Sequence, residues 1–274
     1  MARERAARDV TDWSNLDSEL DAWRESGRRA TLWLRDDDAC RDSPALRRLF
    51  GVARAMEVPV ALAAIPAALE ASLIDAVLES GTATVVQHGF AHRNHAPPGA
   101  RHWELGAHRP VDAIIAELQM GFGALVRAFG TRFAAVLVPP WNRIDSGVIS
   151  RLPEAGLRGL STFGPRTATC PAPGVTQCNT HVDLVAWRRD RAFVGVEAAI
   201  DRLVDHLKAR REGTVDPTEP TGILTHHLDL NDAAWNFLTG LIARTHEHGA
   251  VAWLDVGAAF GSSDEAGVTS DRST

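Results

Sequence analysis

The sequence predicts an α/β fold, and it favours a (β/α) barrel over an open sheet. Short apolar runs alternate with amphipathic helical segments, in about eight β-then-α units. The apolar runs lack a period of two, which is typical of parallel strands buried on both faces. The sequence has no Gly-x-Gly-x-x-Gly motif and no P-loop, so a nucleotide-binding open sheet has no support.

The elements follow one another in a regular order. The first predicted helix carries Trp13, Leu16, Leu20 and Trp23 at helical spacing, and Gly27 can end it. Further helices are predicted at 44–55, 67–80, 111–129, 146–155, 196–211 and 232–248. Strands are predicted at 31–35, 58–64, 82–86, 134–138, 158–161, 182–187, 221–225 and 250–254. Repeated units of this kind imply right-handed crossovers and one parallel sheet.

A single domain is predicted over residues 1–274. The stretches 164–180 and 212–220 are predicted to be polar loops, and neither separates halves of different composition. The ends, at about 1–10 and 261–274, are charged or small and polar, so they are predicted to be flexible.

The composition of the chain indicates which kinds of partner and which cellular compartment to expect. The formal net charge is -6 at pH 7 and the basic residues are scattered, which argues against a nucleic acid or an anionic membrane surface. No apolar stretch approaches the roughly 20 residues that cross a bilayer, so no membrane span is predicted. Three cysteines without a CxxC pair, and an N-terminus without an apolar signal region, predict a cytoplasmic protein.

Polar residues cluster at four predicted strand ends, where the active sites of barrels lie. Three aspartates, 36–38, follow the first strand, and His88 and His92 follow the third. The stretch 139–143, Pro-Pro-Trp-Asn-Arg, follows the fourth strand, and a His-His pair at 226–227 follows the seventh.

The aspartates and the first two histidines indicate a metal site. On a helical turn, His88 and His92 would face the same way and share one ion. Adjacent carboxylates repel one another unless a cation compensates. One aspartate with two imidazoles would hold a divalent ion and leave positions open for water and substrate. A neighbouring aspartate could then serve as base. The alternative to a metal site is that the two histidines are unrelated and that the aspartates only cap a solvated helix N-terminus.

Other residues suit the hydrolysis of an amide, which needs a proton donor for the departing nitrogen. Either His226 or His227 could donate that proton. Trp141 is interpreted as a core aromatic on a rigid turn or as a wall against which a sugar ring stacks. Arg35 and Arg143 are candidates for binding substrate or for orienting a carboxylate base.

The order of these motifs resembles that of the polysaccharide deacetylases with a NodB homology domain (carbohydrate esterase family 4), over roughly residues 31–255. The shared motifs are Asp-Asp, His-x-x-x-His, Pro-Pro-aromatic and a late Leu-x-His. The resemblance, to divergent cytosolic members, implies a distorted (β/α) barrel of seven to eight mostly parallel strands. It also implies one divalent metal ion, with Zn²⁺ expected first and Co²⁺, Ni²⁺ or Mn²⁺ as alternatives. The implied reaction is hydrolysis of the N-acetyl amide of an amino sugar, a glycan or a related small molecule.

The resemblance also implies roles for individual residues. Asp37 falls on the general base, and His226, in Leu-Thr-His, falls on the general acid. A backbone N–H near Trp141 would help to hold the oxyanion. The metal ligands implied by the motifs are Asp38, His88 and His92.

This sequence departs from the family's pattern in several places. Val138 stands where the family has an arginine before Pro-Pro, so Arg35 or Arg143 would have to orient the base. Ala39 replaces a glycine after the aspartate pair, and the additional Asp36 leaves the register of the three aspartates open by one residue.

The family's fourth motif is only faintly matched, by Asp183 and Trp187. Three functions therefore remain open from the sequence. The first is a deacetylase for an amino sugar. The second is a metal-dependent hydrolase for a non-sugar amide, and the third is a metal-binding homologue without catalysis.

Overall fold

The computed structural model describes residues 11–188 and 190–261. The predicted flexible ends, 1–10 and 261–274, lie outside these residues except for Gly261. The helices are α1 Ser14–Glu25, α2 Pro44–Ala55, α3 Ala71–Ser80, α4 Val111–Phe129, α5 Ser146–Ile149, α6 Val196–Glu212, α7 Asp232–His248 and α8 Val256–Ala259. The strands are β1 Ala30–Ala39, β2 Val60–Ala64, β3 Ala83–His88, β4 Phe133–Val138, β5 Gly159–Leu160, β6 Thr176–Gln177, β7 Val182–Asp183, β8 Val185–Ala186, β9 Ala192–Phe193, β10 Thr221–Thr225 and β11 Val251–Trp253.

One curled parallel sheet organises the chain. Its strands follow the order β6-β5-β4-β3-β2-β1-β10-β7, and β11 pairs with the start of β1. Near the two end strands, a single parallel bridge joins Phe163 to Thr180. Within residues 11–188 and 190–261 no ladder joins β6 to β7, so the barrel is incompletely closed. This architecture confirms the predicted distorted (β/α) barrel.

Four predicted elements differ from the structure. The predicted helix 146–155 is the short α5, Ser146–Ile149, followed by a separate 3₁₀ turn at Leu152–Ala155, where Pro153 interrupts the α-helical hydrogen bonds. The stretch 164–180 contains β6, which pairs with β5 and was predicted as loop. The predicted strand 182–187 is split between β7 in the barrel and β8 in an antiparallel hairpin with β9. The Asp183 side chain accepts a hydrogen bond from Val185 N–H (2.9 Å) at this break. Helix α3 begins at Ala71 rather than near residue 67, because Pro66 starts a separate 3₁₀ turn.

Apolar side chains fill both sides of the sheet. Outward-facing residues such as Leu32, Leu34 and Leu62 are fully or almost fully buried beneath the helices. Inside the barrel, Trp33 packs edge-on against Phe260, with ring centroids 5.9 Å apart. Helix α8 and Phe260 therefore close the amino end of the barrel, and the carboxyl ends of the strands form the open end.

Helix α4, with the 3₁₀ turn that follows it to Arg132, is long and apolar enough to cross a bilayer by length and composition alone. In this fold its buried side chains, including Ile114, Leu118 and Leu125, pack into the protein core. The apolar face of α4 is therefore explained by packing against the barrel, and it gives no support for a membrane span.

Candidate metal centre and active site

Strand β1 sends its three aspartates in different directions. Side chains alternate along a strand, so Arg35 and Asp37 share the inner face while Asp36 points to the other. The pairing with β2 shifts register between Asp36 and Ala39, and Asp38 has a φ of 70°. This bulge turns the Asp38 side chain toward the open end of the barrel as well.

Asp36 belongs to a buried pair rather than to the site. Its Oδ2 accepts hydrogen bonds from Thr225 Oγ1 (2.7 Å) and from His227 N–H (2.9 Å), and its Oδ1 contacts His227 Nδ1. Burial disfavours the charged His227 ring, but the Asp36 carboxylate raises the pKa of His227 overall. The pair ties β1 to the loop after β10. These contacts support the register in which Asp37 and Asp38 face the site.

Asp38, His88 and His92 converge as the sequence predicted. Asp38 Oδ1 lies 3.0 Å from His88 Nε2 and 3.3 Å from His92 Nε2. The predicted helical turn is wrong, however, because His88 ends β3 and His92 lies in an irregular loop. Left-handed backbone at Gly89 (φ 54°) and His92 (φ 52°) folds this loop back over the strand end.

These three side chains fit a divalent ion of the zinc type. The Val138 carbonyl can only accept, so His88 Nδ1–H donates to it (3.0 Å), and in a neutral ring this leaves the Nε2 lone pair facing Asp38. Donor atoms around a tetrahedral ion with bonds of about 2.1 Å lie about 3.4 Å apart. The three donor atoms here all lie within 4.8 Å of one another.

The charge state of Asp38 suits metal binding. Burial by itself raises the pKa of Asp38. When His88 carries both ring protons, its Nε2–H donates to Asp38, and this hydrogen bond, with the charges of His88, His226 and His92, outweighs burial and holds the pKa of Asp38 well below its usual range. Asp38 is therefore ionised at neutral pH, as a carboxylate that binds a metal must be. A bound ion would take the place of the Nε2 proton.

Asp37 is held by a buried arginine on its own strand. Arg35 Nη2 donates to Asp37 Oδ2 (3.0 Å), and Arg35 Nε lies 2.9 Å from Oδ1 as an ion pair that is not aligned as a hydrogen bond. The guanidinium is in turn anchored by Ser161 Oγ (2.7 Å) and Asn142 Oδ1 (2.8 Å). Arg35 has no exposed surface, so its contacts support the orienting role and not a direct contact with substrate.

Trp141 and Arg143 lie on the rim of the site. The Trp141 ring packs 4.5 Å from His92 and 5.3 Å from His102, between centroids, and its backbone φ is 55°. It is only partly buried, which favours the interpretation as a pocket wall over that as a core aromatic. Arg143 donates to the His102 carbonyl (2.8 Å). It therefore braces this rim, while Arg35 fills the orienting position that Val138 cannot.

His226 lies beside Asp37. Its Nε2 is 3.9 Å from Asp37 Oδ2, and the Trp187 ring packs edge-on against it at 4.6 Å. Trp187 Nε1–H donates to Asp183 Oδ2 (2.8 Å). The faint fourth motif, Asp183 and Trp187, is thus assembled beside His226.

Glu104 is a residue near the site that no sequence motif singles out. Its buried carboxylate accepts hydrogen bonds from the backbone N–H groups of Phe90 (3.2 Å), Ala91 (2.8 Å) and Arg93 (3.2 Å). A Cβ on Gly89 would lie 2.0 Å from Glu104 Oε2, so this approach requires glycine. Glu104 therefore fixes the loop that carries His92.

Replacing Glu104 with glutamine is expected to weaken zinc binding by about 10–100-fold, the range typical of residues that orient metal ligands. The glutamine side chain has one acceptor oxygen where glutamate has two, and its NH₂ group cannot accept. Backbone N–H groups of the His92 loop would therefore lose their hydrogen-bond acceptor. The measurement is competition with a chelator, with the exposed Glu154→Gln as the matched control. Equal zinc affinity in both variants would show that Glu104 does not position His92.

A second group of potential ligands, His181, His206 and Glu219, does not suit a metal. His181 Nδ1 accepts a hydrogen bond from Gly222 N–H (3.0 Å), so the proton of the neutral ring is on Nε2. That Nε2 is the atom facing Glu219 Oε2, at 3.4 Å. Both Glu219 oxygens also accept backbone N–H bonds, from Arg166 and Asn179, at 2.9 Å each. This cluster is interpreted as a structural one.

The same cluster predicts a pH-dependent stability. Burial, with the charges of His181 and Arg210, lowers the pKa of His206 to about 2. The unfolded chain therefore takes up a proton near pH 6.5 that the folded chain does not, and the free energy of unfolding falls as the pH drops from 6.5 towards 2. The expected contribution is at most about 1.4 kcal/mol per pH unit. Urea unfolding at pH 7 and pH 5 should show a smaller decrease for His206→Asn than for the wild type; an equal decrease would contradict it.

The geometry can be compared with known proteins. No protein-family model and no curated protein matches the sequence. Solved structures match over most of the chain, and they place it in the fold of the carbohydrate esterase family 4 deacetylases. A putative polysaccharide deacetylase from Mycobacterium smegmatis has a TM-score of 0.61 and 15% identity, covering 86% of this chain and 90% of that one.

Two further structures show the range of this fold. A family 4 carbohydrate esterase from Streptomyces lividans, solved with acetate, has a TM-score of 0.52 and 17% identity, covering 81% of this chain and 91% of that one. A family 4 pseudoenzyme from Bacillus anthracis has a TM-score of 0.54 and 13% identity, covering 85% of this chain and 66% of that one. The predicted resemblance to polysaccharide deacetylases is therefore confirmed for the fold.

Proposed function

We propose that this chain is a metal-dependent hydrolase that removes the N-acetyl group of an amino sugar or a related substrate. The observation that carries the proposal is Asp37. This buried carboxylate directly precedes the Asp38 ligand position on the same strand end, is paired with Arg35, lies 3.9 Å from His226 Nε2, and is not part of the metal-ligand cluster. A site that only stored metal would have no need of such a group.

Asp38, His88 and His92 would hold the ion. When bound, a divalent ion of this type supplies Lewis acidity, which polarises an acyl oxygen and lowers the pKa of water. Asp37 Oδ2, the oxygen nearer His226, accepts the proton of the attacking water. Arg35 keeps this carboxylate in one orientation throughout.

The remaining residues act on the leaving group and the acyl oxygen. His226 Nε2 donates the proton to the departing nitrogen, and Trp187 fixes the plane of its ring. The N–H groups of Asn142 and Arg143 donate to the carbonyls of Pro139 and Pro140, so the N–H of Trp141 is the candidate donor to the oxyanion.

The two other functions are weighed by the same contacts. The absence of the family's arginine before Pro-Pro was the reason to consider a non-sugar amide as substrate. Arg35 makes the orienting contact to Asp37 instead, so this reason no longer applies. Catalytic loss has a precedent in the fold, since the Bacillus anthracis neighbour is described as a pseudoenzyme and a mutant of it as having restored activity. Here Asp37, Asp38 and His226 are all present. Zinc as the native metal and a cytoplasmic location stay predictions.

Metal analysis and acetate release from the same preparation test the proposal. We expect about one zinc per chain, and acetate release from N-acetylglucosamine oligomers that stops after chelation and returns with added zinc. Release of the acyl group only from non-sugar amides would replace the substrate class. Stoichiometric metal without hydrolysis of any amide in the panel would support the non-catalytic alternative.

A further inference from the structure

A groove of about 910 Å³ is lined by Asp183 and Trp187, the two residues assembled beside His226. These two residues belong to the groove and to the candidate active site, because Trp187 lines the groove while its ring packs against His226. A molecule whose acyl amide lies against Asp37 and His226 therefore has the groove as a space into which its remainder can extend.

The groove has aromatic walls that are exposed to solvent. Phe163 and Trp187 line it with 45% and 42% of their surface exposed, and Phe193 and Val194 lie deeper. Large exposed aromatics at the edge of a cleft are typical of ligand-binding surfaces. These walls suit a ring.

Two arginines, Arg188 and Arg202, also line the groove. Arg202 Nη1 is near the Asp183 carbonyl (3.3 Å), and neither guanidinium is ion-paired with a carboxylate in the described part of the chain. Arg191, by contrast, lies 3.7 Å from Asp229. The carboxylate of the groove itself, Asp183, already accepts hydrogen bonds from Val185 N–H and from Trp187 Nε1–H.

The positive charge extends to the mouth of the active site. Burial lowers the pKa of Arg143 at the rim of the site, and the positive charges of Arg101 and Arg188 lower it further. The chain as a whole is acidic, with a net charge of -6. A concentration of cations around one cleft of an acidic protein attracts an anionic ligand.

We propose that this groove binds the part of the substrate beyond the scissile amide, and that this part carries an anionic group, a phosphate or a carboxylate, held by Arg188 and Arg202. The proposal rests on the proposed function for the position of the amide. Guanidinium groups bind both anions through paired N–H donors, so the contacts select for charge, and the aromatic walls select for the ring that bears it.

Binding of the deacetylated sugars tests this without turnover. Calorimetry on the zinc-loaded wild type would compare glucosamine with glucosamine 6-phosphate and with muramic acid, at constant ionic strength. We expect at least one of the two anionic sugars to bind about tenfold more tightly than glucosamine, and the tighter one identifies phosphate or carboxylate. The preference should disappear in Arg188→Gln/Arg202→Gln and persist in the control Arg127→Gln, an exposed arginine on α4.

Equal binding of the three sugars, or a preference that survives in Arg188→Gln/Arg202→Gln, would overturn the inference. This outcome is separate from the proposed function. A protein that releases acetate but shows no preference for an anion keeps the hydrolase assignment and loses the anionic subsite. A protein that shows the preference but releases no acetate keeps the anionic subsite and loses the hydrolase assignment.

Discussion

Replacing Asp37 with asparagine is expected to lower kcat for acetate release by about 10²–10⁴-fold, the contribution typical of a general base, while the zinc content stays near one per chain. The amide has a similar shape but cannot accept the proton of the attacking water. Steady-state kinetics and elemental analysis of the same preparation measure both quantities. The exposed Asp75→Asn on α3 is the matched control.

The buried charge of Arg35 complicates this variant. Removing one partner of a buried ion pair typically costs about 3–5 kcal/mol of stability, so Asp37→Asn alone could unfold. The double variant Asp37→Asn/Arg35→Met removes both charges together and should remain folded, metal-loaded and inactive. Full activity in either variant would show that another group is the base.

Replacing Asp38 with alanine is expected to have the largest effect on metal content. It removes the carboxylate to which both His88 Nε2 and His92 Nε2 turn. We expect zinc affinity to fall by more than about 100-fold, the upper end for residues that only orient ligands, and acetate release to be lost with it. Elemental analysis after gel filtration measures the loss.

The control for this prediction is His95→Ala. His95 lies in the same loop, but it is not part of the ligand cluster, so its replacement should leave zinc bound. Stoichiometric zinc in Asp38→Ala would contradict the assigned ligand set. Loss of zinc in both variants would show that the loop as a whole, rather than Asp38, is needed.

The sequence was sufficient for the elements that rest on their own apolar pattern. Helices α2, α4 and α7 and strand β10 have the predicted bounds, because each is an uninterrupted periodic or apolar run. Strand β6 was missed because Thr176 and Gln177 are two polar residues in a loop-like stretch. Their strand geometry comes from pairing with β5, which no local pattern encodes.

The site shows the same division. The grouping of Asp38 with His88 and His92 followed from their positions at strand ends, yet the helical turn was wrong because a spacing of four also fits a loop with left-handed residues. The role of Asp36 depends on Thr225 and His227, which are distant in sequence. The role of Glu104 likewise depends on hydrogen bonds to backbone N–H groups 11–14 residues away, which no local pattern indicates.

Left-handed backbone is concentrated around this centre. Asp38, His92, Trp141 and Asn142 all have φ between 52° and 70°, and each such non-glycine residue costs of order 1 kcal/mol. Glycine at any of these positions would relieve that cost. A thermostability selection that scores only folded protein would therefore drift towards glycine here. Glycine at Asp38 or His92 would remove a proposed metal ligand, so such a screen for this protein needs a metal-retention readout in every round.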